Sequence, residues 1–273
     1  MNKNRYVILL TASLNPNGMP FTALQDVTER EKQYLNAIDF YLLHTNYNIV
    51  FVNNSGEDIR SKVGDCKGRI EYLSFNGNDF DRKLGKGYGE FMILQYAFQH
   101  SKFIQQSQYI IKITGRLIVE NISKVILLND VILCCPKNKI YGIKNDDTCI
   151  IDSRCFVASK EFFVDLFLAK GNLINDTNGY YFEHLLYNVI FQNKERLFVS
   201  NFCLPLMVLG ISGSKGVKYE PEHLSFYKKL TYIREFCEYN KRELKRCMSM
   251  RYYWVSLTSL LVRIGKSGLR KMQ

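Results

Sequence analysis

Two glycine-punctuated segments, Lys86-Gly-Tyr-Gly-Glu90 and Lys112-Ile-Thr-Gly-Arg116, set charged side chains beside backbone that can approach a ligand closely. In the first, Lys86 is a mobile point charge suited to a diphosphate, and Gly87 exposes backbone N–H groups at a helix start. Glu90 fits two roles: a partner for ribose or sugar hydroxyls, and a first-turn acid satisfying the helix dipole. In the second, Lys112 interrupts the apolar run Ile110-Ile-Lys-Ile113, where burial without an anionic partner is costly. An internal carboxylate would satisfy it, as would a ligand phosphate. Thr114 and Arg116 follow, placing a guanidinium where it can grip phosphate in a bidentate way. Neither segment is a P-loop or a dinucleotide-binding Gly-x-Gly-x-x-Gly.

Further along, Glu183 and His184 open a helix after the polar stretch 172–179, and either has the chemistry of a general base toward a sugar hydroxyl. A plain surface acid at a helix start is the alternative for Glu183. Asp152 and Arg154 flank Ser153; Asp152 is the second candidate base and Arg154 a phosphate contact, unless the two form a simple ion pair. His44, His100 and His223 show no metal spacing. Asp79-Phe-Asp81 matches an Asp-x-Asp pair by pattern but falls in a loop, and Asp146-Asp147 reads as a turn. No metal or other cofactor is expected; a divalent Mg or Mn ion stays open.

These residues need elements to position them. The continuous apolar run 6–13 predicts a buried strand, ended by Asn15-Pro-Asn-Gly18. A helix follows over 27–45, with Thr28 and Glu31 as a capping box, then strands over 48–53 and 70–75. Residues 91–104 read as one helix and 109–113 as a buried strand. Such alternation predicts an α/β fold with a parallel or mixed sheet flanked by helices. Its strand carboxyl ends form the edge where ligands bind, gathering Ser13, Asn53, the Asn76 loop and Arg116. The second half is less regular: strands over 130–143 and 148–158 around a turn at 145–147, helices from 160 and over 180–188, and a flexible loop at 210–216.

The chain of 273 residues, 47% hydrophobic and 23% charged, is globular in composition and long enough for one large α/β domain with an appendage. Of the net charge of +11, residues 241–273 carry +8, from nine basic side chains and the single acid Glu243. The basicity therefore belongs to a tail, whose natural partners are anionic lipid head groups or nucleic acid. Within it Tyr253, Trp254, Leu257, Leu260, Leu261 and Ile264 share one helical face. That run is too short and polar to span a bilayer, but suits a membrane interface or packing on the protein itself. The eight cysteines include no Cys-x-x-Cys, and the apolar segment after the N-terminus is too short for a signal peptide, so a reducing cytoplasm is expected.

Leu-Thr-Ala-Ser-Leu-Asn-Pro16 closing the first strand, Val-Asn-Asn-Ser-Gly56 closing the second, Lys-Gly-Tyr-Gly-Glu90 and Lys-Ile-Thr-Gly-Arg116 together resemble bacterial glycosyltransferases of capsule and lipopolysaccharide O-antigen synthesis. Asp152-Ser-Arg-Cys-Phe156 and Tyr-Phe-Glu-His184 belong to the same resemblance, which runs over about residues 5–215 and lies near the galactofuranosyltransferase branch. It implies a GT-A-like, Rossmann-related domain over 1–215, a basic amphipathic helical region over 216–273, and transfer of a sugar from a nucleotide-sugar donor to a growing, lipid-linked glycan. The tail would hold such an enzyme peripherally at the cytoplasmic face of the inner membrane. In that frame Thr11, Ser13, Asn53, Lys86, Gly87, Glu90, Lys112, Thr114, Arg116 and Arg154 bind the donor. Glu183, Asp152 and His184 are the catalytic candidates. The contrasting reading is a non-catalytic basic nucleic-acid-binding protein. The nearly balanced body and the lack of any nucleic-acid motif argue against it.

Overall fold

The computed structural model describes residues 5–241, except 65, 67, 134–138, 142–150 and 222. Strand β1 (Tyr6–Ala12) is buried along its whole length and lies between β2 (Asn48–Asn53) and β4 (Tyr109–Thr114), parallel to both. β3 (Ile70–Ser74) extends this parallel set beside β2. Beyond β4 the sheet turns mixed. β7 (Cys155–Ser159) runs antiparallel to β4, followed by β6 (Lys139–Tyr141) and β8 (Phe198–Ser200), giving the order β3-β2-β1-β4-β7-β6-β8. A second sheet of three short strands joins β5 (Ile118–Val119), β9 (Val208–Ile211) and β10 (Lys218–Tyr219).

Alternating residues of β1 feed two cores, which is why the strand reads as a continuous apolar run. Tyr6, Ile8 and Leu10 pack with α1 (Val27–His44), α4 (Ile122–Leu133) and α6 (Phe226–Tyr239). Val7 and Leu9 pack with α2 (Gly85–His100), α3 (Lys102–Gln106) and α5 (Phe182–Gln192). The fold is thus a mixed α/β sheet with helices on both faces. Ile233, Phe236 and Cys237 of α6 belong to the first core, and β10 pairs with β9, so both lie against the body of the protein.

Several local expectations change. Asp26, not Thr28, caps α1, its carboxylate accepting from the Glu29 N–H at 2.7 Å. The helix expected over 91–104 begins at Gly85 and breaks at Ser101, whose Oγ accepts from Ile104 N–H at 3.1 Å to start α3. Residues 122–133 form helix α4 where a strand was expected from 130, and strand structure follows only at 139–141. The apolar run there is ambiguous by periodicity, and length decides for helix. The segment after Ser159 forms a π-helical turn (Phe162–Phe167) followed by 3-10 turns (Leu168–Leu173). Gly210 and Ile211 belong to strand β9, so the loop expected at 210–216 is the end of a β-hairpin. The Asn145–Asp147 turn and the basic tail beyond Lys241 lie outside the described residues.

Gly171 shows how tightly the 3-10 turns seat on α2. A Cβ there would stand 1.8 Å from the Phe91 ring, which is itself buried. Gly171→Ala is expected to destabilise the fold by about 1–3 kcal/mol through overpacking. A wild-type urea midpoint for this variant would contradict that packing.

Candidate active site

The carboxyl ends of β1 and β4 meet at Thr11 and Thr114, which are register partners, and the strand order β3-β2-β1-β4 reverses between them. This is a topological switch point, where open α/β sheets carry their ligand crevice. A cleft opens there. Its walls include Thr11, Ser13 and Thr114 from the strand ends, Lys86, Gly87 and Glu90 from the first turns of α2, and Phe182 and Glu183 from the start of α5. The 153–154 segment and the β9–β10 hairpin, with Gly213, Ser214 and Tyr219, complete the lining.

Each strand-end residue is held from below. Ser13 N–H donates to Tyr34 OH at 2.9 Å, and the Ser13 carbonyl accepts from Arg30 Nε at 2.8 Å. Thr11 Oγ1 donates to Glu90 Oε1 at 3.2 Å. Asn53 is fully buried and off the cleft wall. Its Oδ1 accepts from Leu14 N–H at 3.0 Å and Ser55 Oγ at 2.8 Å, while Nδ2 donates to the Glu57 carbonyl at 2.9 Å. It ties the loops after β1 and β2 together, and its neighbour Asn54 reaches the wall instead.

Lys112 also stands behind the wall. Its side chain is fully buried, paired with Glu90 Oε1, and donates to the Ser153 carbonyl at 2.6 Å. The ammonium lies 5.6 Å from the centre of the Phe182 ring and 6.0 Å from that of Phe156. The internal-carboxylate alternative read from the sequence therefore describes Lys112, and the same bond engages Glu90.

The glycines opening α2 serve a different partner from the one expected. Asp176, from a short 3-10 turn (Asp176–Asn178), accepts from Gly87 N–H at 3.0 Å. A Cβ at Gly85 would lie 2.4 Å from Asp176 Cβ, and one at Gly87 2.6 Å from Asp176 Oδ1. Gly85 also has φ +78°, which favours glycine in its own right. Asp176 is buried and its Oδ1 has no partner. Burial pushes its carboxyl above the usual range, Gly87 and Lys86 pull it back, and Glu183 and Glu90 push it further up. Nothing in the polar stretch 172–179 marks this residue out, because its partners lie some ninety positions earlier.

Four basic residues reach the wall: Arg30, Lys86, Arg116 and Arg154. Lys86 Nζ donates to Ser214 Oγ on the hairpin. Arg116 Nη1 donates to Gln33 Oε1 at 2.8 Å and to the Ile211 carbonyl at 3.2 Å. Burial weakens the hold of Arg116 on its proton, and Arg30 adds to this against the opposing effect of Tyr34. Arg154 grips Asp152 through Nε at 2.9 Å and Nη2 at 2.5 Å, and lies 4.7 Å from the centre of the Tyr219 ring. Burial raises the Asp152 carboxyl, but the Arg154 bonds outweigh it and hold it below the usual range; the same pairing raises Arg154.

Of the catalytic candidates, Glu183 alone lines the cleft, with Oε1 accepting from Ser153 Oγ at 2.7 Å. Asp152 is occupied by Arg154 and off the wall. His184 is off it as well, its Nδ1 accepting from Tyr181 N–H at 3.1 Å to cap α5. Among the described residues no group of three His, Cys, Asp or Glu is placed to hold a metal ion. Asp81 instead caps a 3-10 turn by accepting from Lys83 N–H at 3.0 Å, and Asp79 is exposed. A divalent cation does not fit the donor set at the end of β4, where Thr114 and Arg116 stand.

Fold and site together define a mixed α/β sheet protein with a polar, charge-lined ligand cleft at its switch point. No protein-family model and no curated protein matches the sequence. Solved structures of similar arrangement include galactosyltransferase LgtC in complex with donor and acceptor sugar analogs, at 9% identity and TM-score 0.45, over 87% of this chain and 99% of that one. Another is 4-diphosphocytidyl-2C-methyl-D-erythritol synthase from Anaerococcus prevotii, at 13% identity and TM-score 0.41, over 85% and 96%. A third is S. aureus TarS 1–349 in complex with UDP-GlcNAc, at 10% identity and TM-score 0.38, over 93% and 79%. Among the described residues no helix is long and apolar enough to cross a membrane.

Proposed function

We propose that the protein is a glycosyltransferase that moves a sugar from a nucleotide-sugar donor to a growing, lipid-linked surface glycan of the capsule or O-antigen type. One observation carries the reading: the basic side chains Lys86, Arg116 and Arg154 and the carboxylate Glu183 line one cleft at the switch point. The basic side neutralises the diphosphate as it leaves, which is the charge that develops during transfer. Ser13 and Thr114 line the donor side. Glu183, oriented by Ser153, accepts the proton of the acceptor hydroxyl. Lys112, behind the wall, and Glu90, on it, form a fixed ion pair, and Asp152 orients Arg154. The acceptor class follows from the sequence resemblance and the basic tail, which would hold the enzyme at an anionic membrane surface on the cytoplasmic side.

A nucleotide screen tests the core of this reading. Among UDP, GDP, CDP and dTDP and their sugars, one family should raise the melting temperature. A ligand at a hundred times its Kd adds about 2.7 kcal/mol to stability. If none of these compounds shifts the transition, the nucleotide-sugar assignment is wrong.

A further inference from the structure

We propose that Arg30 and Arg116 form a two-guanidinium receptor for the donor diphosphate, supplying positive charge that a divalent cation would otherwise provide. The identity of the anion rests on the nucleotide-sugar reading; the receptor rests on geometry. Both side chains are 5% exposed, yet neither has a carboxylate partner among the described residues. Arg30 donates from Nε to the Ser13 carbonyl, from Nη1 to the Leu24 carbonyl at 3.0 Å and from Nη2 to Tyr34 OH at 3.3 Å. All its partners are neutral, so its charge stays uncompensated.

Arg116 is more telling. Both of its hydrogen bonds leave from Nη1. Nε is buried without a partner. The unpartnered edge of the guanidinium is therefore the Nε–Nη2 side, whose two N–H groups form the fork that takes two oxygens of one phosphate. Gly213, on the β9–β10 hairpin, keeps that edge open. A Cβ at this position would stand 2.4 Å from Nη2, where a ligand oxygen has to come. The Gly213 carbonyl accepts from Ala23 N–H at 2.8 Å, so the hairpin is anchored at this spot.

Two buried like charges without a counter-ion disfavour each other. An anion carrying two negative charges relieves both at once. The acids that a divalent cation needs are not assembled among the described residues, whereas two guanidiniums already are.

Calorimetry with inorganic pyrophosphate and with UDP, GDP, CDP and dTDP, in EDTA and then in Mg or Mn, tests the receptor. Unchanged affinity in EDTA is expected. Arg30→Met and Arg116→Met should each weaken binding about tenfold or more, as loss of a charge-assisted fork does. Arg30 also holds the Ser13 loop, so Gly213→Ala provides a check that spares both arginines. It should weaken binding with an unchanged melting temperature, because the added methyl meets only the tip of a flexible side chain. Binding that requires Mg or Mn overturns the proposal, as does wild-type affinity in Arg30→Met and Gly213→Ala. If a nucleotide sugar binds and these variants leave it unaffected, the receptor is wrong while the transferase reading stands. If pyrophosphate binds through the pair and no nucleotide does, the transferase reading fails and the receptor stands.

Discussion

Glu90→Ala is expected to cost about 3–5 kcal/mol of folding stability, because it strands a buried charge. Lys112 is fully buried in a central strand, between the two cores. Its remaining neutral acceptor is the Ser153 carbonyl, at 2.6 Å. Removing Glu90 leaves the ammonium with that carbonyl and the faces of Phe156 and Phe182, which do not replace a carboxylate. A loss of this size is a large part of the roughly 5–15 kcal/mol that holds a typical domain together. The double change Lys112→Met with Glu90→Gln should recover most of it, since no charge is then left behind. It should also keep nucleotide affinity, because Lys112 does not reach the cleft and glutamine keeps the shape of Glu90 on its wall. Urea denaturation of the single and double variants measures both effects. A Glu90→Ala midpoint equal to wild type would refute the burial argument, and loss of nucleotide binding in the double variant but not in Glu90→Gln would return Lys112 to the diphosphate.

Glu183→Gln is expected to lower sugar transfer by about a hundredfold to ten-thousandfold, the usual range for loss of a general base. Donor affinity should survive, because glutamine keeps the shape and can still accept from Ser153 Oγ. The rate can be followed with acceptor, or as slow donor hydrolysis in which water takes the acceptor's place. Asp152→Asn should have a smaller effect, through the loosened Arg154 that it now grips. The reverse ranking, with Asp152→Asn inactive and Glu183→Gln near wild type, would move the base to Asp152.

How far the sequence carried depended on the range of the deciding contact. β1, β2 and β4 were legible because strands buried on both faces are continuous apolar runs closed by turn residues. Arg116, Lys86 and Glu183 were legible because charged residues at the ends of such runs, or in a helix's first turn, fall at the cleft by topology. Gly87 lines the cleft as expected, but its N–H goes to Asp176 and not to a ligand. Gly85 and Gly87 together admit Asp176, a partner far along the chain that no local pattern reveals. His184 and Asn53 carry the right chemistry, but nearby N–H groups consume it in holding a helix start and two loops. Arg30 looks like any charged residue of an amphipathic helix. Only the approach of the Ser13 loop and Tyr34 makes it a buried cation.

The walls of the cleft come from nearly the whole described chain, from Thr11 at the end of β1 to Tyr219 in β10. Contacts this distant in sequence form late, since each requires closing a long loop before anything is gained. The hairpin carrying Gly213 supplies part of that wall, so a chain in which it is not yet docked has an incomplete pocket. A nascent chain therefore has no complete site until the hairpin has emerged and docked.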